Sequence, residues 1–252
     1  SSYFPMHDDT QVGRVVGMAR SLQDGQFPVR WVSDLGYGYG YPLFNFYGPL
    51  PYYIGAIVHN LGFSALIGTK IMMGIGAIMA PVLAFLVLEP LLGIMGAAVS
   101  AVVFMYAPYH AVQLYVRGAV GELYATAFLP LLFYGVVAPL CGKRNHRTVA
   151  IGGLGLALII LSHTIMGYVA VVLYGAWIGA YAFVSFVQKR HVFSVLISYG
   201  LQVAIGLCLS AFFWLPAIIE MGYTNVSGQI GGTADFRTHF VCARQLLYSS
   251  WG

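Results

Sequence analysis

From residue 65 to residue 219 the chain alternates long apolar runs with brief polar breaks. Six runs read as spanning helices, give or take one: 65–88, 91–107, 122–140, 149–162, 165–187 and 192–219. The measure is the ~20 apolar residues that a helix needs to cross hydrocarbon. The breaks are Glu89-Pro90, the stretch 106–122, the basic loop 143–147, the turn Ser162-His163-Thr164, and Gln188 to His191. The expected fold is an all-α integral membrane protein, a multi-pass helical bundle.

The first sixty-four residues follow another pattern. Val12, Val15, Val16, Ala19 and Leu22 recur at helical spacing, with Arg14, Arg20 and Gln23 opposite. Residues 8–24 therefore read as an amphipathic helix lying along a membrane surface. Beyond it, Gly36, Gly38 and Gly40, with Pro42, Pro49 and Pro51, exclude a spanning helix and require an ordered loop. Its tyrosines, among them Tyr37, Tyr39, Tyr41 and Tyr47, suit either an interfacial aromatic belt or the wall of a sugar-binding cleft. The apolar stretch after Pro51, to about Leu61, is too short to cross and reads as a re-entrant or surface helix. Three regions follow: a large first outer loop with surface helices (1–64), a transmembrane helical domain (65–219), and a truncated outer segment (220–252). The chain reads as a fragment of something longer.

Composition settles the solvent. Hydrophobic residues make up 59% of the chain and charged residues 8%, and mean hydropathy is +0.79. A soluble globule carries roughly a quarter charged residues, so the bilayer is the expected surroundings. The formal charge of +4 comes without a basic stripe, which excludes a nucleic-acid partner. Cys141, Cys208 and Cys242 fall at unrelated spacings and encode neither a disulfide framework nor a zinc site.

Charge then gives orientation. Lys143, Arg144, Arg147, Lys189 and Arg190 occupy two short loops separated by two runs, so both loops share a side, and the positive-inside rule makes it cytoplasmic. Alternation places Glu89 there too. Of the eight acidic residues, the other seven (Asp8, Asp9, Asp24, Asp34, Glu122, Glu220, Asp235) fall outside. Carboxylates gathered at one face with His7, His110, His163, Arg30 and Arg117 suggest a site, although longer outer loops also hold more of every residue.

Two readings stand for each part of that face. Asp8 and Asp9 open a helix, where carboxylates favour the dipole and cap the first turn; equally, they are carboxylates poised for proton transfer. As a pair they also offer oxygens to a divalent cation, but two adjacent side chains without further placed oxygens make a weak site. Arg117 and Glu122, at the ends of apolar runs, either pair with each other or leave Arg117 for a lipid phosphate, whose oxygens suit a guanidinium fork. Asn225-Val226-Ser227 fits a glycosylation triplet and is better taken as loop.

The acidic pair, the surface helix, the Gly-x-Phe-Pro segment Gly25 to Pro28 and the helix start Pro49 to Tyr53 together resemble the GT-C class of membrane glycosyltransferases. The finer pattern is similar to a family of prokaryotic multi-pass proteins called the "6-pyruvoyl-tetrahydropterin synthase-related" membrane domain, and more distantly to YfhO-like proteins. The strings that carry it are FPVRW (27–31), GYPLFNFYGPLPYY (40–53), APYH (107–110), YVRGAVGE (115–122), LSHT (161–164) and QLLYSSWG (245–252). No His-x-His zinc pattern accompanies them, so the family label does not imply pterin chemistry. The resemblance implies a polyprenyl-phosphate sugar donor, membrane lipids as surroundings, and a site on the extracytoplasmic face of a prokaryotic cytoplasmic membrane. It implies Asp8 or Asp9 as the base that takes the acceptor hydroxyl's proton. Arg30, Lys70 and Arg117 become candidates for the carrier phosphate, and His7, His110, Glu122 and His163 line the same face. Two other classes compete: a non-enzymatic scaffold or assembly factor for envelope polymers, and a transporter. The transporter is the weaker, because Pro81, Pro130 and Pro216 lie within apolar runs without a carboxylate beside them and no repeat is present.

Overall fold

A computed structural model of the chain describes residues 5–189, 193–225, 235 and 240. Sequence features at Arg190, His191, Val226, Ser227, Arg237, His239, Cys242, Arg244 and 245–252 lie outside the described residues. Within them the chain is helical, with a single β-bridge between Val32 and Tyr41. The principal helices are α1 (Gln11–Gln23), α2 (Leu50–Asn60), α3 (Ala65–Met105), α4 (Val120–Val137), α5 (His146–Ser162), α6 (Thr164–Val187) and α7 (Phe193–Glu220).

Among the described residues, four helices are long and apolar enough to cross a membrane: α3, α4, α6 and the run beginning with α7; α5, at 17 residues, is apolar but shorter. The 41 residues of α3 are two helices joined at Gly93, whose φ of 71° and ψ of 170° are not helical. Ala84 and Leu88 of the first arm line the same groove as Ser100, Val103 and Phe104 of the second. A straight helix would hold Leu88 and Phe104 about 24 Å apart, so the arms fold back on each other. The sequence places this reversal at Glu89-Pro90, but Pro90 is accommodated inside the helix. Proline's fixed φ suits helical backbone, whereas a reversal of this kind needs the positive φ that glycine adopts without penalty.

The surface helix of the sequence reading is present as α1, and its apolar side is covered by protein. Val15, Met18 and Ala19 are buried, with Val15 packed where Gly55 of α2 and Met72 of α3 leave room. Thr10 holds the N-cap position without a side-chain hydrogen bond, and no acidic residue lies in the first turn. Asp8 and Asp9 are therefore not caps. The stretch 106–122, read from sequence as a loop, is largely wound: a short helix Pro108–Ala111 runs into a π-helical segment Val112–Arg117, ended by Gly118 at φ 63°.

α4 is the most enclosed of the spanning candidates, and small residues set the packing of α5 on α4 and of α7 on α5. Gly155 of α5 sits against Leu131, and Gly206 of α7 sits against Leu156. Gln202 of α7, wholly buried, donates to the Gly135 carbonyl at 3.0 Å and accepts from the Tyr174 hydroxyl at 2.8 Å. Such bonds hold helices together where neighbouring lipid offers no partner.

Hydrogen bonds sort the connecting segments into two ends. At one, Lys143 Nζ donates to the Pro90 carbonyl at 2.5 Å and Arg144 to Ser194 Oγ at 2.8 Å, which joins the α3 reversal to the basic loop. At the other, Asp8 meets Arg117 and the Thr164 hydroxyl donates to the Phe46 carbonyl at 2.8 Å. The segments that alternation assigns to one side thus do meet.

The described residues from Leu215 onward belong to a second unit. Its described part comprises the last turns of α7 and the 3-10 turn Met221–Tyr223, closed by Thr224 Oγ1 donating to the Met221 carbonyl at 2.7 Å.

Candidate functional site

The polar end is built around Gly118. The N-terminal segment runs alongside residues 116–118, with His7 N donating to Val116 O and Asp8 N to Arg117 O, both at 2.9 Å. Gln11 Nε2 donates to the Gly118 carbonyl at 2.7 Å, and the Tyr52 hydroxyl donates to Gln11 Oε1 at 2.6 Å. A left-handed backbone and Met6 packed where a Cβ would sit both require glycine here.

Two charge clusters flank this strap. In the first, Asp8 lies 3.8 Å from Arg14, whose guanidinium also donates to the Tyr47 hydroxyl at 2.9 Å and lies 4.3 Å from that ring's centre. Burial acts to lower the Arg14 pKa, but Tyr52, Tyr47 and Asp8 outweigh it, so the pKa is raised. Burial also pushes the Tyr52 hydroxyl well above its ordinary value. The Asp8 side chain remains 38% exposed.

In the second cluster, Arg117 grips Glu122 with both nitrogens, at 2.6 and 2.7 Å. The Tyr109 hydroxyl donates to Glu122 Oε2 at 2.5 Å and accepts from Arg117 at 3.0 Å. The hydrogen bond to Glu122 is the largest cause raising the Arg117 pKa. His163 completes the group, its Nε2 lying 3.9 Å from Glu122 Oε1. His163 Nδ1 accepts the Met166 amide at 3.2 Å and so caps α6. Accepting at Nδ1 puts the proton of a neutral ring on Nε2, toward the carboxylate. Burial lowers the His163 pKa, and Glu122 offsets only part of that.

The structure thus joins Asp8, His7, Arg117, Glu122 and His163 in one region. Arg117 is not a free phosphate clamp; the self-paired alternative is the one realised. Asp9 stands exposed, without a hydrogen bond or ion pair among the described residues. Arg30 reaches elsewhere, donating to the Phe212 carbonyl at 3.3 Å. Lys70 lies half-buried in the second turn of α3. His110 packs edge-on against Phe104, with ring centres 4.9 Å apart, and burial lowers its pKa. Among the described residues no three His, Cys, Asp or Glu side chains gather to hold a metal.

Sequence reasoning did not single out Arg14 or Tyr109, and it read Tyr47 only as a belt or cleft tyrosine rather than as a partner of Arg14. Arg14 stands opposite the apolar residues of the amphipathic helix in that reading. Tyr109 stands in the quoted string APYH, where attention falls on the histidine. Their signal was the cost of leaving the neighbouring charges unpaired at a membrane surface.

Fold and site together define a multi-helical membrane protein with a charged, aromatic end. The family model for the "6-pyruvoyl-tetrahydropterin synthase related domain; membrane protein" matches residues 44–232, and the chain belongs to that family. Neither the curated proteins nor the solved structures include a match to the chain.

Proposed function

We propose that this chain is the membrane-embedded part of a GT-C-like glycosyltransferase, moving a sugar from a polyprenyl-phosphate carrier to an acceptor hydroxyl. In this reading the chain crosses the membrane six times, with Lys143 on the cytoplasmic side and Asp8 on the extracytoplasmic side of a prokaryotic cytoplasmic membrane. The observation that carries it is Asp8: a carboxylate kept partly open to solvent, 3.8 Å from Arg14, at the join of two ordered segments. An ionised carboxylate is a form able to take an acceptor's proton. Asp9, exposed beside it, is the alternative base. Arg30 and Lys70 are the remaining candidates for the carrier phosphate, and exposed Tyr37, Tyr39 and Tyr41 offer ring faces to sugars.

The test is sugar transfer from polyprenyl-phosphate donors by the full-length protein in membranes, with Asp8→Asn and Asp9→Asn compared at matched expression. Loss of turnover in one variant of unchanged melting temperature supports the transferase and names its base. Turnover indifferent to both removes the acidic pair from the mechanism.

A non-enzymatic scaffold for envelope polymers is the second reading. It is favoured by the Arg117–Glu122 pair, in which the two charges satisfy each other and leave little for a reacting group.

A further inference from the structure

The opposite end of α4 carries a feature that the proposed transfer site does not use. Two apolar grooves run along α4, one on each flank. The first, about 630 Å³, lies between α4 and α6 and is bounded by Val136, Leu140, Leu173 and Trp177. The second, about 470 Å³, lies between α4 and the two arms of α3 and is bounded by Ala84, Leu88, Ser100 and Val103. Leu129 and Phe133 line both. Phe133 is 54% exposed and forms the ridge between them. It lies four residues, about 6 Å along the axis, from the end of α4. That depth falls inside one leaflet, about 15 Å, or half of the ~30 Å hydrocarbon core.

One lining residue of each groove lies close along the chain to a point that Lys143 holds. Leu140 of the first precedes Lys143 by three residues. Leu88 of the second is two residues from Pro90, whose carbonyl accepts from Lys143 Nζ at 2.5 Å. An ammonium has three donors, so two remain for another acceptor. Exposed Arg147 stands four residues on. Paired apolar channels with basic side chains near one end along the chain complement one kind of molecule in a membrane: a lipid with two chains and an anionic head.

We propose that a two-chain anionic phospholipid seats astride Phe133, one acyl chain in each groove and its phosphate at Lys143 and Arg147. The lipid fills the sides of α4 that protein leaves open and ties α3 to α6 through their shared neighbour.

Native mass spectrometry of the purified full chain tests this, after exchange into detergent and addition of one lipid at a time: phosphatidylglycerol, phosphatidylcholine, or single-chain lysophosphatidylglycerol. The expected result is one retained phosphatidylglycerol, held more strongly than either control. Lys143→Gln with Arg147→Gln should weaken phosphatidylglycerol retention by about fivefold for each cation removed and bring it level with phosphatidylcholine. Val103→Trp and Leu173→Trp replace exposed side chains and fill one groove each; either should reduce phosphatidylglycerol to the lysolipid's retention at an unchanged melting temperature. Equal retention of the three lipids by the native chain, or phosphatidylglycerol retention that survives both the cation and the groove variants, overturns the proposal.

Discussion

Arg117 and Glu122 are joined by two parallel hydrogen bonds of 2.6 and 2.7 Å, with Tyr109 bridging them. Glu122 is the more enclosed partner, its side chain 13% exposed against 38% for Arg117. Glu122→Gln removes the charge that Arg117 was placed to meet. Allowing for the solvent around Arg117, a loss of about 1–2 kcal/mol is expected, read as a lower melting temperature in detergent. The exchange Arg117→Glu with Glu122→Arg should recover part of it.

His163 gives that region a pH dependence. Its pKa is lowered by burial, so between the folded value and the ordinary value near 6.5 the unfolded chain binds more protons than the folded one. Stability from the neutral ring is complete above about pH 6.5 and falls as pH drops through the window below it. Protonation at Nδ1 also removes the acceptor of the Met166 amide. Melting temperature against pH should decline below about 6.5 and decline less in His163→Asn, which can still cap the helix. His110 is lowered by burial in the same sense, and His110→Phe should take away its share of the slope.

Gly118→Ala should loosen the N-terminal strap. The backbone there is left-handed, a cost of about 1–2 kcal/mol for a side chain, and the added carbon would fall on Met6 Sδ. Proteolysis ahead of α1 should quicken well before the helices melt. Equal cleavage of the variant and the native chain would contradict the strap.

Gln202→Leu tests the polar contact at the centre of the bundle. Gly135 and Gly152 leave the space that the Gln202 amide fills. Substitution leaves the Tyr174 hydroxyl without its acceptor, and a loss of about 1–2 kcal/mol follows. Gly152→Ala should be at least as damaging, since its Cβ would meet Gln202 Oε1.

The helices were legible because apolar run length reports long apolar helices directly, and polar breaks such as Ser162-His163-Thr164 coincide with real helix ends. The reversal of α3 was displaced by three residues because proline was read as the breaker while the actual break needed positive φ at Gly93. The π-helical segment was not legible: its wide turn matches neither helical nor strand periodicity. In the site, the Arg117–Glu122 pairing could be anticipated from proximity in sequence. The Asp8–Arg14–Tyr47 cluster could not, because it depends on how a loop returns across α1.

The first arm of α3, residues 65–92, is about 42 Å long at 1.5 Å per residue, against a hydrocarbon core of ~30 Å. α1 and α2 lean on its opening turns, at Gly68 and Met72. The arm is thus a mast, and the charged end rides on it like a deck. Deleting one residue from it would lower that deck by about 1.5 Å and swing it through about 100°, so the height and heading of Asp8 are written into the length of a helix to which it does not belong.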